Sequence, residues 1–173
     1  TQVLCFDSDA PKSKRFSYYG SDDTEFGRMM MKALAAEMNE RGVIALIAGN
    51  KNAPNLQQRV HAIVCEIKKY PSMKILPDGV FYHAEIPEKA AEIVARAQKK
   101  YPQIEGWAFV GAWPLFIQDG LKIKSNKIKI VAADALPSEL EYIKNGQVTR
   151  CYLVIATDAK VIMIANAVLP MFL

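Results

Sequence analysis

Two runs in this chain, Val43 to Ala48 and Gly106 to Val110, are apolar from end to end, and a third, Ile128 to Ala133, departs only at Lys129. A strand with one wet face alternates, whereas a strand covered on both faces reads as a continuous apolar run. The three runs therefore predict the interior of a mostly parallel sheet, which needs helices on both faces and crossover connections between strands. Segments with helical spacing stand between the runs. Ser21-Asp22-Asp23 caps a long helix with the apolar face Phe26, Met29, Met30, Ala33, Leu34 and Met38, and Gly42 reads as its closing glycine. Asn55 reads as the cap of a second helix, built on Leu56, Val60, Ile63, Val64 and Ile67 and ended by Pro71. Pro87 opens a third helix with Ile86, Ala90, Ile93, Val94 and Ala97 on its inner face. Pro137 to Lys144 makes a fourth, stopped by Asn145-Gly146.

Further strands are expected at Val3 to Phe6, Arg15 to Tyr19, Met73 to Leu76, Val80 to His83 and Val148 to Ala156, with a last helical face at Val161, Ile164, Ala165 and Val168. The pattern gives an α/β fold, a Rossmann or flavodoxin-like three-layer sandwich. Ligands of such sheets bind beyond the carboxyl ends of the strands. The residues at those ends are Asp7 and Asp9, Gly49 to Asn55, Tyr82 to Glu85, Gly111 to Trp113, and Asp134.

Charge and composition exclude several functions. Lys plus Arg number 22 against 18 Asp plus Glu, a formal charge of +4 spread along the chain. Only Lys122, Lys124, Lys127 and Lys129 approach a cluster, and they alternate along a turn and strand, so no nucleic-acid partner is expected. Cys5, Cys65 and Cys151 are odd in number and far apart, without a CxxC, and each is expected to act as a small core residue. His61 reads as a surface residue. Neither His61 nor His83 is expected to hold a metal, since a second ligand at the right spacing is taken to be missing. The apolar stretch from Cys151 to Leu173 is broken by Thr157, Asp158, Lys160 and Asn166, well short of the ~18 clean residues of a membrane span. The chain opens on Thr1 with neither Met nor a basic leader segment and reads as a processed or truncated product.

Several segments in register resemble a known family. They are Phe6-Asp7-Ser8-Asp9-Ala10-Pro11, Tyr19-Gly20-Ser21-Asp22-Asp23 with Gly27-Arg28, Asn55-Leu56-Gln57-Gln58-Arg59, Gly106-Trp107-Ala108-Phe109, and Ala133-Asp134-Ala135-Leu136-Pro137. Their order is similar to that of the type I periplasmic sugar-binding proteins of ABC transporters. The resemblance implies two lobes joined by hinge crossings, of which this chain carries the C-terminal lobe. Residues 1–14 would be a hinge-crossing strand and linker, 15–133 the ligand-binding lobe, and 134–173 a further crossing with a strand and helix that pack on the other lobe. It also implies reversible binding of a sugar or polyol by hinge closure, delivery to an ABC permease, a periplasmic or extracytoplasmic location, no catalysis and no cofactor. Left alone, the C-terminal helix would promote self-association.

Carried over by position, Asp7 and Asp134 resemble the family's aspartates that accept hydrogen bonds from sugar hydroxyls, and Asn55 resembles a polar contact from a helix start. Gly111-Ala112-Trp113 replaces an Asn-Asp pair common in relatives, and Trp113 would offer a ring face to a pyranose. Ser8 and Tyr82 complete the candidate set. Each has a plainer reading: a cap of the helix at Pro137 for Asp134, turn formation for Asp7, an N-cap for Asn55, and packing for Trp113, Phe81 and Tyr82. Two other functions share parts of the pattern. One is the effector lobe of a LacI-like regulator. The other is a Mg²⁺-dependent phosphatase of the haloacid-dehalogenase type, with Asp7 as nucleophile and Asp9 as acid/base. Pro11 and the missing acidic partner of Asp134 depart from the phosphatase pattern.

Overall fold

The computed structural model describes residues 3–123, 127–153 and 162–164. Its main sheet contains β3 (Arg41–Gly49), β4 (Ser72–Tyr82), β5 (Ile104–Phe109), β6 (Lys129–Ala133), β7 (Arg150–Leu153) and β8 (Ile162–Ile164), in the order β4-β3-β5-β6-β7-β8. All pairings are parallel except that of β7 with β8. The five parallel strands thus follow the flavodoxin order expected from the sequence. A separate parallel ribbon joins β1 (Leu4–Phe6) to β2 (Ser17–Tyr19).

The continuous apolar runs feed two cores by turns. Ile44, Leu46, Ala48, Ala108, Val110, Val131 and Ala133 pack under α1 (Asp23–Glu37) and α2 (Pro54–Glu66). Ala45, Ile47, Trp107, Phe109, Ile130 and Ala132 pack under α3 (Pro87–Lys100) and α4 (Pro137–Lys144). Successive residues of a strand face opposite sides, so each run must be apolar at every position to serve both cores.

Several expectations are corrected. Gly42 does not end α1: Asn39 (φ 51°) and Glu40 (φ 55°) make the left-handed turn, the Glu40 N–H closes on Ala35 O at 2.8 Å, and Gly42 already belongs to β3. Asn55 does not cap α2, whose N-cap is Ala53; its Oδ1 accepts from the Leu56 N–H at 3.0 Å. The two strands expected around Pro77-Asp78-Gly79 are one strand, β4. Its register slips between the Ile44–Ile75 and Leu46–Val80 pairs, an irregularity that an edge strand tolerates. Ile162–Ile164 is a strand and not part of a helix. The helical face drawn through Ile164 therefore does not form there, and the self-association built on it loses that residue. Val161, Ala165, Val168, and residues 154–156 of the expected last strand lie outside the described residues. Cys65 is exposed and Cys5 only half-buried; Cys151 alone is a core cysteine. No helix among the described residues is long and apolar enough to cross a membrane.

Candidate functional site

The carboxyl ends of the parallel strands open onto a cleft of about 420 Å³, a size that suits a small ligand. Its lining comes from five strand ends: Asp7 and Ser8 after β1, Asn50 after β3, Glu85 after β4, Gly111 and Trp113 after β5, and Asp134 after β6. The start of α2 adds Ala53, Asn55, Leu56 and Arg59. Five of the six residues proposed from sequence, Asp7, Ser8, Asn55, Trp113 and Asp134, thus share one cavity. Tyr82 does not line it; its hydroxyl donates to Gln57 Oε1 at 3.2 Å, and its ring packs on the α1–α2 core. Phe81 packs against Trp107 in the other core, with ring centroids 5.8 Å apart.

Three acidic residues of the lining hold left-handed backbone: Asp7 at φ 63°, Glu85 at φ 60° and Asp134 at φ 67°. Such conformations cost an L-residue free energy and gather at functional sites. The Asp7 N–H donates to Tyr19 O at 3.0 Å, and its carbonyl accepts from the Tyr18 hydroxyl at 2.9 Å, which fixes the turn and leaves the carboxylate exposed. Asp134 Oδ2 accepts from the Ala112 N–H at 3.3 Å, across the end of β5. The N-cap of α4 is Leu136, so Asp134 is not a helix cap. Burial pushes the Asp134 carboxyl above its ordinary range and the Asp7 charge adds to this, while Arg59 and the Ala112 N–H act against it.

Arg59, not selected from sequence, anchors the cleft floor. Its Nε donates to Asp23 Oδ1 at 2.7 Å and its Nη1 to Val110 O at 2.8 Å, and its guanidinium lies 4.7 Å from the Phe26 ring centroid. Gly27 makes this possible: a Cβ there would lie 2.5 Å from the Arg59 carbonyl oxygen, so α1 and α2 touch backbone to backbone. A sequence signal for the pair existed. Position 59 lies on the apolar face of α2 between Leu56 and Ile63, and Asp23 on that of α1 beside Phe26 and Met30, and charges on apolar faces need partners. Asn50 and Glu85 lie within the strand ends expected to meet a ligand, though neither is singled out by the sequence. The Asn50 N–H donates to Glu85 Oε1 at 3.3 Å, a loop-to-loop contact that no local pattern announces.

The indole of Trp113 is wedged at the strand ends. A Cβ on Gly49 or Gly111 would come within 2.5 or 2.4 Å of an indole carbon, so only glycine leaves room for the ring. His83 meets it edge-on with centroids 4.9 Å apart, and burial lowers the His83 pKa, favouring the neutral ring. His83 Nδ1 accepts from the Glu85 N–H at 3.0 Å.

Asp9 points elsewhere. Arg15 grips both its carboxylate oxygens, Nη2 at 2.8 Å from Oδ2, and holds its pKa below the ordinary range. A general acid needs the opposite shift, which tells against the acid/base role for Asp9. A second groove, of about 490 Å³, lies beside α4, where the Tyr142 hydroxyl is already spent on Ile117 O and the Gly120 N–H. Among the described residues no three His, Cys, Asp or Glu side chains converge on a metal position. The expectation that no cysteine stands at ligand spacing from a histidine is corrected: His61 Nε2 and Cys65 Sγ lie 3.5 Å apart, one helical turn from each other on α2.

A family model described as "Periplasmic binding protein domain" matches residues 1–169. The chain belongs to this family. Among solved structures, this periplasmic binding protein domain is similar to an ABC transporter solute-binding protein from Burkholderia graminis, in complex with D-arabinose. The TM-score is 0.88 and the identity 21%, over 97% of this chain and 68% of that one. It is also similar to GanP, a glucose-galactose binding protein from Geobacillus stearothermophilus, with TM-score 0.87 and 22% identity over 98% of this chain and 69% of that one. A carbohydrate transporter solute-binding protein from Agrobacterium radiobacter, in complex with D-arabinose, gives TM-score 0.88 and 18% identity over 96% and 67%. At these identities the likeness carries the fold, and the chain spans about two thirds of each structure's length. No curated protein sequence matches the chain.

Proposed function

We propose that this chain binds a sugar or related polyol reversibly and serves as part of the solute-binding component of an ABC importer. The observation that carries the reading is the strand-end cleft, which brings Asp7 and Asp134 together with Asn55, Arg59 and Trp113. A sugar presents hydroxyls of mixed donor and acceptor character around an apolar ring face. Carboxylates accept from the hydroxyls, the amide and guanidinium serve the remaining acceptors, and the indole covers the ring. Groups held at strand ends and in fixed turns lose little freedom on binding. The solved relatives in complex with D-arabinose, and the one named for glucose and galactose, support this ligand class.

In this reading residues 1–14 and the segment from 134 onward are hinge crossings, and 15–133 form the lobe that carries the cleft. Ligand favours a closed arrangement in which a second lobe completes the contacts, no bond is made or broken, and the site works outside the cytoplasm. The test is calorimetry with D-arabinose, D-glucose and D-galactose on the full-length, two-lobed protein and on its Asp134→Ala variant. Loss of a charge-assisted hydrogen bond should weaken binding by about 1.5–3 kcal/mol. Heat from none of the sugars, or unchanged affinity in Asp134→Ala, would overturn the reading or remove Asp134 from it, respectively.

A further inference from the structure

Away from the cleft, one His–Cys pair stands in side-chain contact at a separation that a tetrahedral cation would also impose. His61 and Cys65 are four residues apart on α2, so they share one face of the helix, and both are exposed. His61 Nε2 lies 3.5 Å from Cys65 Sγ. Zinc bonds of about 2.0 Å to an imidazole nitrogen and about 2.3 Å to a thiolate sulfur, opened to a tetrahedral angle, set those atoms about 3.5 Å apart. The observed separation equals that between two corners of a tetrahedron, and the i, i+4 placement on α2 keeps both side chains within reach of one cation.

We propose that His61 and Cys65 form a surface chelate for a borderline-soft divalent cation of the zinc class. Two positions come from the chain and water fills the others. One imidazole and one thiolate select zinc, cobalt or nickel over magnesium and calcium, which prefer all-oxygen shells. Binding takes the neutral imidazole through Nε2 and the sulfur as thiolate. Each cation bound therefore displaces one proton from Cys65 Sγ to solvent, and no redox partner is involved. With only two protein ligands the site is open and exchanges its metal readily, unlike a closed structural site. Arg59 on the same helix is buried against Asp23 while positions 61 and 65 face out, so the chelate and the cleft are separate sites.

The test is a Co²⁺ titration of the full chain, kept reduced by a phosphine, following the sulfur-to-cobalt charge-transfer band in the near ultraviolet. Zn²⁺ is then added to displace the cobalt. We expect one Co²⁺ per chain, loss of the band in Cys65→Ser, and affinity at least about tenfold weaker in His61→Gln. Both positions are exposed, so the far-ultraviolet circular dichroism of the variants should match that of the parent. Absence of a band at millimolar Co²⁺, its survival in Cys65→Ser, or parental affinity in His61→Gln would each overturn the proposal.

Discussion

Two arginine–aspartate pairs occupy opposite settings in this molecule. Arg15 grips Asp9 on the connection between β1 and β2, with side chains 27% and 19% exposed, while Arg59 grips Asp23 between α1 and α2 at 6% and 4%. The chemistry is the same, but the surroundings decide what each pair does. Around Arg15 water competes for both charges, and the pair fixes a local turn. Around Arg59 the groups that replace water include Asp23, the Val110 carbonyl and the Phe26 ring, so the pair ties two helices and a strand end into one joint. A buried pair of this kind need not stabilise the fold relative to apolar residues, but removing one partner strands the other.

The comparison can be broken in three ways. Asp23→Ala leaves the buried Arg59 guanidinium without its paired carboxylate and should cost about 3–5 kcal/mol in chemical denaturation. A loss no larger than that of a surface substitution would show that water reaches the joint. Glu139 sharpens the contrast, because it is a carboxyl at 0% exposure that faces Asp134 and the Cys151 thiol instead of a guanidinium. Burial raises its pKa from an ordinary 4.5 to about 8. The folded state therefore holds this proton more tightly than the unfolded one. The stabilisation is complete below the ordinary value and is lost as pH rises through about 8. Between pH 5 and 8 this should remove on the order of 3–4 kcal/mol of stability, and Glu139→Gln should flatten that slope. An unchanged slope in the variant would assign the pH dependence to another group. The smallest effect is expected at the exposed pair: Asp9→Ala should leave the melting temperature within the scatter of repeat scans. A clear drop would mean that the turn between β1 and β2 contributes to global stability.

Much of this architecture was legible because parallel strands covered on both faces and amphipathic helices have periods that a single sequence displays. The apolar runs around Ile44, Trp107 and Ile130 placed the central strands, and Pro87 and Pro137 marked two helix starts. Failures came where a local rule met a tertiary one. Gly42 looked like a helix stop, but Asn39 and Glu40 accept the left-handed turn, and the glycine's lack of a side chain serves its approach to Met38 and Glu105 instead. The cleft was legible where a strand end announces itself, as at Asp7 and Asp134. Glu85 and Asn50 meet across loops 35 residues apart, and no periodicity encodes that contact. Arg59 stood on an apolar face and could have been found from that alone.

The left-handed carboxylates at Asp7, Glu85 and Asp134 carry a consequence for protein engineering. Glycine at any of these positions would relieve the backbone, by on the order of 1 kcal/mol. A library sorted only for heat resistance would therefore drift toward glycine there and strip three carboxylates from the lining of the cleft while improving its score. If the proposed function holds, selection rounds that alternate between heat and sugar binding would keep those acids that contact the ligand, and the positions where the two pressures disagree would map the site without a bound ligand.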